Sequence, residues 1–387
     1  MTLNSLIPLL LGGLPPELIS KLDAAQLEKL THGLPLASGG ILELPISANA
    51  GPVGLGICLT QKDGGFSLLE DPAANFQAPK ASKTWSALKE FALAHKQASS
   101  LLRRAVSQSW VEFDFAPKLQ KLSLAGFFFK LEEPFNRPPT AAVVREKAGA
   151  NTVALTEKSL ELLGVPVNRA SIQTLLSCIH ARNASTRIAY VGAMFGRGTP
   201  GFRLVLADMP FYSLTGYLKK INYPHRRGML PLIDFLTTRA GLETLSLHLD
   251  INEDVQPRLG LEVAMNPGSN LLPAWQAFLD QLIHAGASTP DKAKTLPAWI
   301  RQFDRAQLAE KWPAALGAKY GSLHCSINHL KFSYQPGYFS QEVPPGDFGA
   351  TLASQAHAGE ISTKAYLAYQ FAVRSAPAQP QAVGVNQ

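Results

Sequence analysis

The sequence predicts an α+β fold: a closed antiparallel barrel of ten strands, taken as five strand pairs, with helices on the outside. Three observations predict it. Five times along the 387 residues, a pair of short alternating strands is followed by helical sequence. Most of these pairs are joined by turns too short for a parallel crossover, which excludes a parallel α/β sheet. In several strands the polar residues share one face. In Ile327–Tyr334 (INHLKFSY), His329, Lys331 and Ser333 oppose Leu330, Phe332 and Tyr334; in Lys364–Phe371 (KAYLAYQF), Lys364 and Tyr366 oppose Ala365 and Leu367. A sheet whose apolar face is covered by helices and whose polar face turns inward closes without unpaired edges. Its lumen is wet and charged, and such an interior points to a ligand.

The elements follow in order. Residues 15–31 (PPELISKLDAAQLEKLT) predict a helix with Pro at its start and Leu18, Leu22, Leu27 and Leu30 on a helical spacing. The first hairpin is Ile41–Ser47 and Val53–Gln61, turning at 49–52. Helical sequence over 83–107 precedes the second, Trp110–Phe115 with Leu122–Leu131. A loop at 134–139 and helices over 140–183 lead to the third, Arg187–Phe195 with Phe202–Ala207, whose turn at 196–201 holds three glycines. Helices over 210–222 and 228–240 precede the fourth, Leu245–Ile251 with Arg258–Met265, and helices over 271–286 and 291–318 the fifth. The fifth encloses a long Gly- and Pro-bearing excursion, 335–362. One barrel domain over 1–375 is expected, with a disordered Ala/Pro/Gln-rich tail over 376–387. Two α+β domains split near residue 145 are the alternative.

The composition, 46% hydrophobic and 17% charged, is ample for a core. The net charge of +7 is spread out, with no Lys/Arg run longer than two residues. Nucleic-acid and membrane-surface binding need clustered charge, so neither is expected as a partner. Cys58, Cys178 and Cys325 are odd in number and far apart, which fits neither a disulfide framework nor a metal pattern. The N-terminus lacks the basic start of a signal peptide, and no stretch approaches the roughly 20 apolar residues of a membrane span. A soluble cytoplasmic protein is expected.

Turned inward, the polar faces collect Glu43, Glu112, Asp114, Arg187, Arg203, His248, Asp250, Arg258, Glu262, His329, Lys331, Lys364 and Tyr366. Arg258, Lys331 and Lys364 could converge on one anion, since charge-assisted hydrogen bonds to phosphate are strong in a lumen screened from water. The competing reading is a structural ion-pair network with Asp250, Glu262 or Glu112. Tyr366 lies two residues from Lys364 on the same face. It could shield a carbocation through its π face or simply fill the lumen. His248 and Asp250 share a strand face and could form an oriented general base for a hydrolase or lyase, or merely pack together. No GxSxG elbow, Walker loop, HExxH or paired CxxC is present, and Gly196-Arg197-Gly198 sits in a turn.

The pattern resembles the aromatic prenyltransferases of the ABBA type, of the indole-prenylating, dimethylallyltryptophan synthase kind. Glu43–Asn49 (ELPISAN), followed by a strand and Leu69-Glu70-Asp71-Pro72, is similar to that family's first hairpin. Glu112–Pro117 (EFDFAP) leading to Phe127–Pro134, the segment His248–Arg258, and Asn328–Tyr334 with Lys364–Tyr369 resemble later ones. The resemblance implies a metal-independent transfer of an allylic group from a diphosphate to an aromatic or peptide acceptor, in the chemistry of secondary metabolism. It implies no cofactor beyond the allylic diphosphate as co-substrate. It places Arg258, Lys331 and Lys364 on the diphosphate, Tyr366 as cation shield and Glu43 as the nearest candidate for the catalytic base; Arg203, His329 and Glu112, from the lumen set, are expected to bind substrate as well. The chain departs from the pattern at Pro45, where the family's glutamate falls, at Gly126 and Phe128 for a Lys-x-Tyr, and at Gly260 and Glu262 for a Lys and a Tyr. These departures favour a second function: a non-catalytic barrel that binds a peptide or small ligand, as a partner protein in a peptide-modification pathway.

Overall fold

Successive side chains of a strand take opposite faces, and the sheet sorts them into a covered outer face and a lumen face. The computed structural model describes residues 3–37, 39–48, 53–79, 81–116, 121–137, 142–196, 201–239, 241–265, 271–306, 308, 312, 320–336 and 360–373. Among them, eleven strands form one antiparallel sheet: β1 (Gly39–Pro45), β2 (Gly54–Thr60), β3 (Val106–Ala116), β4 (Lys121–Leu131), β5 (Arg187–Met194), β6 (Phe202–Pro210), β7 (Thr244–Ile251), β8 (Val255–Val263), β9 (Arg301–Asp304), β10 (Tyr320–Gln335) and β11 (Glu360–Val373). Strands β1 to β8 pair in sequence order. β8 pairs with β10, β10 with β11, and β11 with β1, so ten strands close into a barrel. β9 hangs outside the ring on the first half of β10, through Ser322–Cys325. The expected ten-stranded barrel of five pairs is the observed one, and the sheet runs without a break from β4 to β5, across residue 145.

The outward alternates form the core with the helices. Leu55, Ile57 and Leu59 of β2, Phe127, Phe129 and Leu131 of β4, and Leu330, Phe332 and Tyr334 of β10 are all buried. Phe91, on the helix Lys83–Lys96, meets Phe127 and Phe129 at ring-centroid distances of 5.1 and 5.5 Å. Phe278, on the helix Leu271–His284, meets Phe332 at 6.5 Å. Each such ring contributes about 1.5–3 kcal/mol by leaving water.

Several helices differ from expectation. The helix expected over 15–31 begins at Lys21, because the Ser20 hydroxyl accepts the Asp23 backbone N–H and caps it there. The 83–107 segment splits into Lys83–Lys96 and Leu101–Ala105, and β3 starts at once at Val106. In place of one helix over 291–318, a helix of six residues ends at Thr295, ahead of Pro297, and a 3₁₀ turn hands the chain to β9. Arg301 of β9 donates to the carbonyls of Leu10 and Gly12, tying the N-terminal segment down. Most of 305–319, the turns at 49–52 and 197–200, the excursion at 337–359 and the tail at 376–387 lie outside the described residues. Among the described residues, no helix is long and apolar enough to cross a membrane.

Candidate functional site

The inward alternates line a lumen, and glycines in it make room for long neighbours. A Cβ on Gly260 would come within 3.0 Å of Lys331 Cε and 3.1 Å of His248 Cβ, so the Lys331 side chain passes over bare backbone. A Cβ on Gly54 would lie 3.0 Å from Glu43 Cδ. One on Gly192 would fall 2.2 Å from the Phe128 ring, which lies flat over that glycine. Gly192→Ala should therefore push Phe128 out of place and cost about 1–3 kcal/mol, read as a lower midpoint in urea. An unchanged midpoint would show that Phe128 is not held there.

Cross-strand register then builds an ion-pair network. Lys331 faces Lys364 on β11 and Glu262 on β8. Lys331 Nζ lies 3.2 Å from Glu262 Oε1 and 2.9 Å from His248 Nδ1. Glu262 Oε1 is also 2.7 Å from His248 Nε2 and 3.3 Å from His329 Nε2, although both approaches fall outside hydrogen-bonding geometry. Lys364 Nζ is 3.4 Å from Glu43 Oε2. Arg203 grips Asp250 with two bonds, of 2.6 and 2.8 Å. The His329 ring stacks on Tyr366 at 4.2 Å, and Lys331 Nζ stands 5.6 Å from the Tyr366 centroid.

The protonation states follow from burial and these partners. Burial pushes the His248 imidazolium down to about 4, outweighing Glu262, so the ring is neutral near pH 7 and its Nδ1 accepts from Lys331. Burial opposes ionisation of Glu262, but His248, His329 and Lys331 overcome it and hold the carboxyl well below its ordinary range. Asp250 is likewise held low by Arg203 against its burial. Burial lowers the Lys331 ammonium, with Glu262 opposing.

The lumen forms two joined chambers that share His248 and Tyr366. The smaller, of about 220 Å³ at the hairpin end, is lined by Arg203, Arg258, Lys331 and Lys364 against Glu43, Asp114 and Asp250. The larger, of about 460 Å³ at the helix end, has walls of Trp110, Phe128, Tyr190 and Tyr366. Its carboxylates are Glu112, Asp208 and Glu262, with one guanidinium, Arg187. Trp110 Nε1 donates to the Tyr190 hydroxyl at 3.3 Å. Beyond Gln108 and Trp110, a wider space of about 970 Å³ opens at the barrel's end. Among the described residues, no group of three or more His, Cys, Asp or Glu is arranged to hold a metal ion.

The residues singled out from the sequence all line this lumen. Lys331, Lys364 and Arg258 share the smaller chamber with Glu43, Arg203 and Tyr366, and Arg258 is exposed at its rim. Glu112 and His329 line the larger. The general-base couple that His248 and Asp250 could have formed is absent: Asp250 is taken by Arg203, and His248 sits between Lys331 and Glu262. Sequence reasoning missed Tyr190 and Asp208. Asp208 has a left-handed backbone (φ +57°) at an irregularity in β6 and reaches Arg187 Nε at 2.7 Å, a placement that alternation cannot announce. Trp110 shares a face with Glu112 and could have been found from parity alone.

No protein-family model matches the chain, and no curated sequence matches it. Among solved structures, the 5-dimethylallyl tryptophan synthase from Streptomyces coelicolor, in complex with DMASPP and Trp, is similar at a TM-score of 0.42 and 14% identity, covering 94% of this chain and 92% of that one. At that similarity the match assigns no substrate to this chain.

Proposed function

We propose that the chain is a prenyltransferase that moves an allylic group from a diphosphate donor to an aromatic or peptide acceptor. The observation that carries this reading is the pair of joined chambers, one rich in cations and one walled by aromatic rings, meeting at Tyr366. The diphosphate would lie against Lys331, Lys364 and Arg258, with Arg203 and His329 nearby. Its carbon–oxygen bond breaks there, and the cations take up the charge that develops on the leaving oxygen. The allylic cation forms beside Tyr366, a carbon of the acceptor ring attacks it from the aromatic chamber, and Glu43 accepts the displaced ring proton. Glu112 positions the acceptor.

Incubation with dimethylallyl or geranyl diphosphate and a panel of indoles, phenols and peptides should give a product heavier by one prenyl group, together with free diphosphate. Lys364→Met should lower kcat/KM by about 10- to 100-fold, the worth of one charge-assisted contact. Absence of product, with no diphosphate-induced rise in melting temperature, would sink the proposal.

A second reading has its own observation. Lys331, Lys364 and Arg203 already face lumen carboxylates at 3.2, 3.4 and 2.6 Å, and an ammonium stands over the ring that would shield the cation. A barrel that binds a peptide or small ligand without turnover fits that self-neutralised lumen. Ligand binding that is lost in Lys364→Met, with no prenylated product from wild type, would select it.

A further inference from the structure

The barrel wall has a gap where β1 begins. β1 lies between β2 and β11 and holds each of them one strand spacing away, roughly 4.8 Å. Its pairing with β11 starts at Gly39 opposite Gln370, and with β2 at Gly40 opposite Ile57; both neighbours run on past it. There Cys58, Leu59 and Thr60 of β2 pair with β3, and Phe371, Ala372 and Val373 of β11 pair with β10. Among the described residues, neither stretch has a strand on its other side. Leu34 and Ala37, just before β1, belong to the outer core, so the chain comes to Gly39 from the helical layer.

That gap is the wider space of about 970 Å³, and its walls suit a missing strand. The unmatched strand edges carry backbone N–H and C=O groups that another strand can pair. On the lumen side the gap is lined by neutral polar side chains, Thr60, Gln108 and Gln370, and on the outer side by Tyr369 and Phe371. The Tyr369 hydroxyl lies over Gly40, buried and without a hydrogen-bond partner among the described residues. Lys62 and Arg103, both exposed, stand at the rim with Asp63. Counting Asp63 against one of them still leaves a cation over.

We infer that this gap is a docking site for one extended peptide segment of a partner, inserted as an additional strand between residues 58–60 and 371–373. Such a segment alternates apolar residues, turned toward Tyr369 and Phe371, with neutral polar residues turned toward the lumen. It carries an acidic residue at the end that passes Lys62 and Arg103. The site lies outside both chambers, and the inference rests on neither reading of their chemistry.

The test uses the full chain and a synthetic strand, acetyl-Asp-Val-Gln-Val-Gln-Val-amide, with calorimetry and amide hydrogen exchange. Successive N–H groups of a strand face opposite edges, so N-methylating only the valines blocks one edge and only the glutamines the other. In a slot with two walls, each analogue should bind at least about tenfold more weakly than the parent, the worth of roughly two hydrogen bonds. Amides in 58–60 and 371–373 should exchange more slowly in the complex, and Lys in place of Asp in the peptide should weaken it. Gln370→Trp fills the gap from the lumen side and should abolish binding, with the melting temperature as the check on folding; if it does not fold, Thr60→Trp takes its place. No binding by the parent peptide, loss in only one N-methylated analogue, or no protection of those amides would overturn the inference. So would the lack of a preference for Asp over Lys, or binding that survives the tryptophan variant. Binding that appears only once residues 374–387 are removed would make the chain's own end the occupant, and would overturn it too.

Discussion

Lys331→Met is expected to destabilise the barrel by about 3–5 kcal/mol, the cost of leaving a buried charge without its partner. Lys331 is 9% exposed, and its ammonium is the donor that Glu262 and the neutral His248 share. Without it, Glu262 keeps two imidazoles, of which His248 is neutral near pH 7. The carboxylate must then either remain as a poorly compensated anion or take up a proton. The same logic makes a double variant informative. Lys331→Met with Glu262→Leu removes both charges and fills their volume with apolar atoms, and such replacements are often close to neutral. The double variant should therefore recover most of the loss. Urea unfolding of the two single variants and the double variant, analysed as a cycle, reads the coupling directly. Additive losses would show that the two side chains do not act as a pair.

The barrel is legible in the sequence because several strands carry their polar residues on one face, and because the short turns of most pairs leave antiparallel pairing as the only option. Parity alone also puts His329, Lys331, Lys364 and Tyr366 on the lumen side, where they lie. The carboxylates of the ion-pair network are legible as a set, but which cation each one meets is not. Lys331 and Glu262 are separated by 69 positions, and their meeting depends on the register between β10 and β8. The glycines carry the less obvious message. Against the family pattern, Gly126 and Gly260 look like lost substrate-binding residues, whereas in the folded chain they are the space in which Glu112 and Lys331 lie. β9 escapes because four residues, Arg301–Asp304, make too short an alternation to stand out beside Pro297 and Trp299.

Acidification should unfold this barrel through its lumen. The folded-state imidazolium of His248 is pushed from 6.5 down to about 4 by burial, so between those pH values the unfolded chain binds a proton that the native chain refuses. Stability is therefore highest above pH 6.5, falls as pH drops toward 4, and loses about 3 kcal/mol across that window. Glu262, Lys331 and Arg203 face the ring, and the two cations reinforce the refusal while Glu262 opposes it. Glu262 and Asp250, both held below their ordinary values, add their losses below about pH 4.5. His95 adds to the first window, because burial lowers it too while it bonds the Val106 carbonyl. His248→Gln keeps an acceptor for Lys331 but cannot titrate. Melting temperatures of the wild type and His248→Gln, followed from about pH 7.5 to 4, should diverge, with the variant falling less steeply by an amount worth about 3 kcal/mol at the acid end. Parallel curves would mean that the native lumen does not hold His248 below its ordinary range, so that the ring takes up its proton where it does in the unfolded chain. The Lys331 ammonium, which that ring nitrogen accepts, would then have to find another partner.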